Sequence, residues 1–172
     1  AQAASLGRAP TEMEYQVNNW YYFNWLSGDH IVEQHVHDLD VANWFMKDQH
    51  PVSANGMGGR QFRIGPDFGD IFDHHAIEFD YADGTKLYSC CRHIPGCWDS
   101  FSEHAHGTQG YVSIQGHGKA ELCVNGQAPV EWDRGPDGHQ LEMDHLFAAL
   151  KAGQAYNEVD ATILGTMTAI LG

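Results

Sequence analysis

Within the eight residues from His30 to His37 the chain sets three imidazoles and a carboxylate, His30, Glu33, His35 and His37, at the head of a largely apolar segment that runs to Lys47. At about 100° per residue, His30, Glu33, Gln34, His37, Val41 and Trp44 fall on one stripe, polar for its first two turns and apolar beyond. Val32, Val36, Leu39 and Met46 add apolar residues on other sides. The spacing predicts one buried helix across 27–47, opened by Asp29 as N-cap after the break at Gly28 and closed near Lys47. Titratable groups in such a helix are costly unless each finds a partner. Chemistry is expected here, although satisfied core histidines or interface packing would produce the same spacing.

The segments around this helix read as α+β. Residues 1–10 suggest a loop. Residues 11–25 then bring the aromatic run Asn18-Asn19-Trp20-Tyr21-Tyr22-Phe23-Asn24-Trp25, which suits either a carbohydrate-binding wall, with Tyr21, Tyr22 and Asn24 as contacts, or core packing with amide caps. Residues 52–64 suggest an irregular strand. The clearest hairpin joins Phe72–Tyr81 to Lys86–Ile94 through Asp83-Gly84, read as a two-residue turn. That turn would place Phe79 opposite Tyr88, Ile77 opposite Cys90, His75 opposite Arg92 and His74 against His93, with a polar end open at Asp73, His74, His75, Arg92 and His93. His104 and His106 fall in an expected loop over 102–107. Residues 111–115 and 119–124 form a second strand pair, followed by a turn at Asn125-Gly126. Two amphipathic helices are expected at His139–Lys151, stopped by Gly153, and at Asn157–Leu171.

Twenty-three acidic against nine basic side chains give a formal charge of -14, which disfavours nucleic acid and anionic membrane as partners. No apolar run approaches the ~20 residues of a membrane span. The four cysteines, Cys90, Cys91, Cys97 and Cys123, read as reduced thiols. A zinc site from Cys90 or Cys91 with His93 and Cys97 lacks the paired C-x-x-C spacing of structural zinc, so no metal is assigned. Gly56-Met57-Gly58-Gly59 lacks the preceding strand and following helix of a dinucleotide loop, and no Gly-x-Ser-x-Gly elbow is present.

Gly28, Glu33, His37 and Asp40 together resemble the acid-x-x-x-His-x-x-Asp segment that opens the C-terminal domain of the Gfo/Idh/MocA oxidoreductases. Longer stretches, among them Trp25-Leu26-Ser27-Gly28-Asp29-His30, Gly56-Met57-Gly58-Gly59-Arg60-Gln61 and Cys91-Arg92-His93-Ile94-Pro95-Gly96, are similar to a bacterial branch of these dehydrogenases common in planctomycetes. The resemblance implies a large, mostly antiparallel open sheet with helices on one face. It also implies a single substrate-binding and oligomerisation domain over 1–172, a fragment cut at both ends. An N-terminal Rossmann domain would hold NAD or NADP, and the fragment alone would be inactive.

The implied substrate is a sugar, polyol or related carbohydrate, with His37 as general acid/base and Glu33 beside it as the catalytic pair. His30, Tyr22, Arg92, His93 and His104 are expected to bind substrate, and the sheet face to pair with a second copy. The protein would be soluble, cytoplasmic or periplasmic. Glu33 replaces the more usual Asp, and His30 and His35 are additions to the pattern. Two alternatives stand beside dehydrogenation: NAD-dependent cleavage of glycosides on the same fold, and metal-dependent hydrolysis at His30, Glu33 and His37.

Overall fold

Where the sequence suggests one long helix, the backbone turns three times. The computed structural model describes residues 7–116 and 118–172, so the expected loop over 1–10 lies partly outside the described residues. Helix α1, Glu12–Asn18, starts on a capping box in which Thr11 Oγ1 accepts from the Glu14 amide and the Glu14 carboxylate accepts from the Thr11 amide. A 3₁₀ turn at Trp20–Tyr22 leads to α2, Asn24–Ser27, which ends at Gly28 in the left-handed conformation, φ 75°.

Asp29 also has positive φ, 72°, and its carboxylate accepts from the His30 amide to open α3, His30–Glu33. The amides of Gln34 and His35 then both converge on the His30 carbonyl, at 3.1 and 3.0 Å, before α4 runs Val36–Phe45. The break at Gly28 and the cap at Asp29 fall where expected, and the expected helix over 27–47 is α3 and α4. One extra residue in the ladder at His35 divides it, as at a π-type bulge.

The chain forms two compact units, residues up to Cys97 with Leu164–Gly172, and Trp98–Ile163. In the first, strands β1 (Ser53–Gly59), β2 (His74–Asp80) and β3 (Lys86–Arg92) form an antiparallel sheet in that order. The β2–β3 loop holds three residues rather than two. The Gly84 amide bonds back to Tyr81 O, Gly84 adopts φ 87°, and Tyr81 N meets Thr85 O, which is a turn with a glycine bulge. The expected register accordingly shifts by one, pairing Phe79 with Leu87, Ile77 with Ser89, His75 with Cys91 and His74 with Arg92.

Because strand side chains alternate, His75, Ile77 and Phe79 share one face with Leu87, Ser89 and Cys91. Ile31, Leu39 and Ala169 complete the buried apolar cluster against Ile77 and Phe79. Ala169 comes from helix α6, Val159–Leu171, whose Thr168 bonds Asn43 while Tyr81 donates to Asn43 Oδ1. Those three buried polar side chains satisfy one another.

The second unit carries the antiparallel sheet β4 (Ser102–Gly107), β5 (Gly110–Gln115), β6 (Lys119–Val124) and β7 (Val130–Trp132). Residues 102–107, expected as a loop, are a strand, because Gly107 pairs with Gly110 across a two-residue turn and carries His104 opposite Ser113. Helix α5, Gly138–Ala152, starts on the Asp137 cap and stops at Gly153, φ 67°, as its pattern suggests. The described helices include none long and apolar enough to cross a membrane.

Candidate active site

Three rings stack where α3 meets the end of β3. Tyr21 lies over His93 at 5.6 Å and 15°, and His93 over His30 at 5.1 Å and 18°. The 3₁₀ turn delivers Tyr21, whose hydroxyl donates to Gln34 Oε1 at 2.8 Å and lies 3.3 Å from His93 Nδ1. Burial, with the Glu33 carboxylate next in weight, pushes the Tyr21 phenol well above its usual range. Burial and then the neighbouring His30 and Arg63 push His93 down. The wall is thus neutral and aromatic, with the Glu33 carboxylate at its margin.

His30 is enclosed, with 2% of its surface exposed. Its Nδ1 faces two acceptors, Asp29 Oδ1 at 3.0 Å and the Phe72 carbonyl at 3.2 Å, so that nitrogen carries a hydrogen. Asp29 Oδ2 in turn accepts from the Phe72 amide at 2.8 Å. Burial opposes ionisation of Asp29, but the bonds from His30 and Phe72 prevail and its pKa is lowered. His30 Nε2 points at His75 Nδ1, 3.3 Å away, and at Cys91 Sγ, 3.2 Å away.

Glu33 and His37 occupy consecutive turns on either side of the step at Gln34 and His35. Glu33 is half-buried beside Tyr21, and His37 is exposed on α4, one turn before Asp40. Burial raises the Asp40 pKa against the pull of Trp44 and of His37. The expected metal triad of His30, Glu33 and His37 does not assemble. Among the described residues, the one set of His, Cys, Asp or Glu side chains converging within 4.8 Å is His30, His75 and Cys91. The helical step turns His30 inward and His37 outward, which separates the residues that one continuous helix would have aligned. The cysteine set with His93 and Cys97 likewise does not form, since Cys90 and Cys97 are exposed.

Tyr22 lies beyond the stack, with the Arg63 guanidinium 4.4 Å over its ring, and lines a cleft of about 220 Å³ with Tyr15, Asn19 and Arg63. Arg92 ends β3 opposite His74, on the strand face away from Cys91. His104 lies on β4 in the second unit, its Nε2 3.2 Å from Ser102 Oγ. Within the first unit the structure therefore brings His30 and His93 together, places Glu33 beside their stack, and leaves Tyr22, Arg92 and His37 at separate positions.

Two arrangements escape sequence reasoning. Asp73, fully buried, accepts from the amides of Gln61, Phe62 and Arg63 through Oδ2 and meets His74 Nδ1 through Oδ1. His35 joins Asp38 Oδ2 at 2.8 Å to Ser89 Oγ at 2.7 Å, the hydrogen-bond order of a nucleophile, base and orienting acid. Ser89 is only 7% exposed on the core face, so this chain ties α4 to the sheet rather than presenting a nucleophile.

No family model matches the sequence, and no curated protein matches it. Solved structures do. Aldose-aldose oxidoreductase from Caulobacter crescentus, complexed with glycerol, is 17% identical with a TM-score of 0.62, covering 88% of this chain and 44% of that one. Levoglucosan dehydrogenase, with NADH and levoglucosan, is 15% identical with a TM-score of 0.66, covering 88% and 50%. Biliverdin reductase from Synechocystis, with biliverdin and NADP+, is 17% identical with a TM-score of 0.65, covering 88% and 48%. The chain spans about half the length of the solved chains it resembles. Its two antiparallel sheets and helices have the α+β fold of the C-terminal domain of Gfo/Idh/MocA-type oxidoreductases.

Proposed function

We propose that this chain is the substrate-binding half of an NAD(P)-dependent oxidoreductase acting on a hydroxyl of a sugar, polyol or related carbohydrate. The observation that carries the reading is the fold match over 88% of the chain to half of each solved oxidoreductase. The glycine run at Gly56–Gly59 lies within strand β1 and opens no helix, so these residues build no dinucleotide cradle. A nicotinamide held elsewhere in the whole protein supplies the hydride acceptor.

The chemistry left to this chain is proton transfer and orientation. His37 is exposed and accepts the proton of the reacting hydroxyl, returning it in the reverse direction, and an imidazole suits both duties near neutral pH. Glu33, one turn earlier, accepts a hydrogen bond from a second hydroxyl. Tyr21, the outer ring of the stack, offers a flat face to the C–H side of a sugar ring, and Tyr22 and Arg63 line the adjoining cleft. Imidazole, carboxylate and phenol polarity favours a polyhydroxylated substrate over a tetrapyrrole.

Self-association is part of the same reading. Val112, Ile114, Leu122, Val130 and Trp132 share one face of the second sheet, and Val130 and Trp132 remain about half exposed. The test is a panel of sugars and polyols offered to the full-length protein with NAD+ and NADP+, read as reduced nicotinamide. Turnover of at least one carbohydrate supports the reading. A protein that binds nicotinamide yet reduces it with none of them would end it.

A further inference from the structure

We propose that His30, His75 and Cys91 form a binding site for a divalent transition ion, with zinc the best fit. The three ligand atoms form a triangle with edges of 3.2 Å (His30 Nε2 to Cys91 Sγ), 3.3 Å (His30 Nε2 to His75 Nδ1) and 3.9 Å (Cys91 Sγ to His75 Nδ1). An ion with ordinary Zn–N and Zn–S bonds in a tetrahedron would separate its ligands by about 3.3 Å for two nitrogens and about 3.6 Å for nitrogen and sulfur. The observed triangle matches one face of that tetrahedron within a few tenths of an ångström.

Each ligand arrives by an independent structural cause. The one-residue offset in the β2–β3 hairpin puts His75 directly opposite Cys91. Asp29 starts α3 and at the same time orients His30, because its Oδ1 takes the hydrogen on Nδ1 and turns Nε2 inward. A carboxylate behind a histidine in this way is the usual outer support of a metal-bound imidazole. Gly58 on β1 keeps this corner open, since a Cβ there would lie 2.9 Å from the His74 carbonyl and from Phe72 Cδ2 and 3.3 Å from His75 Cδ2.

The charges agree with the geometry. A dication bound there would be neutralised by the Cys91 thiolate together with Asp29 in an enclosed place. Mixed imidazole and thiolate donors suit zinc, and carboxylate-preferring magnesium or calcium would be a poor match. With three protein ligands, the fourth position falls to water or a substrate oxygen. This site is independent of the role proposed for His37.

The test needs no substrate. Full-length protein purified from zinc-supplemented medium, without chelator, is assayed for metal, then stripped and titrated with cobalt(II) alone. The expected result is about one zinc per chain and, with cobalt, a near-ultraviolet thiolate-to-metal charge-transfer band. Cys91→Ser abolishes the band, and His75→Gln weakens cobalt binding. Cys90→Ser, an exposed neighbour on the opposite strand face, retains it. Should Cys91→Ser fail to fold, the wild-type spectrum and His75→Gln still decide. Wild-type protein with substoichiometric zinc and no charge-transfer band, or a band that survives in folded Cys91→Ser, would overturn the site.

Discussion

Asp73 shows how one carboxylate organises a loop that sequence reasoning leaves irregular. Burial alone would raise its pKa, but the amides of Arg63, Phe62 and Gln61 and the imidazole of His74 outweigh burial and hold the carboxyl far below its ordinary value. Because the folded pKa is depressed, this stabilisation is present above the unfolded value of about 3.9 and disappears only as pH falls through the lower folded value. Asp73→Ala would leave three partly buried amides without this acceptor and should destabilise the protein by about 2 kcal/mol in chemical denaturation. Asp73→Asn keeps one acceptor oxygen and should lose less. Equal stability of wild type and Asp73→Ala would show that the loop is held by something else. His35 is similar, since its partners Asp38 and Ser89 come from a neighbouring turn and a strand 54 residues away.

At the scale of elements, what was legible in the sequence divides by whether its signal is local. The Gly153 stop of α5 and the strand pair β5–β6 follow from residues within a few positions, and they appear where expected. The helix over 27–47 opens at Asp29 as expected but divides at His35, because periodicity reports a face and not a one-residue insertion in the ladder. Strand β4 is hidden by its histidines, which alternate correctly but equally suit a solvated loop.

The hairpin register erred by a single residue, and that residue decides whether His75 meets Arg92 or Cys91. Asp83-Gly84 marks the turn truly but does not distinguish a two-residue loop from a three-residue loop with a bulge. Gly84 takes positive φ in either loop, and Asp83 makes the difference, since a two-residue type I′ turn needs positive φ there as well and Asp83 does not adopt it. Gly84→Ala should destabilise the hairpin by about 1 kcal/mol, read as a lowered denaturation midpoint with an unchanged m-value. A neutral effect would contradict a left-handed Gly84.

For the whole molecule, the class was legible where the individual site contacts were not. The α+β order and the short run from Gly28 to Asp40 point to the same fold that the solved oxidoreductases show, although sequence identity is only 15–17%. Long-range placement was not legible, because ring stacking among Tyr21, His93 and His30 depends on a 3₁₀ turn, a helical step and a strand end meeting in space. In the proposed reaction His37 handles the proton of a carbohydrate hydroxyl. Its most direct test is steady-state turnover of His37→Ala in the full-length protein, with a carbohydrate that the wild type oxidises. The expected result is a kcat lower by about 10²- to 10⁴-fold with folding and nicotinamide binding intact. Turnover equal to wild type would contradict it.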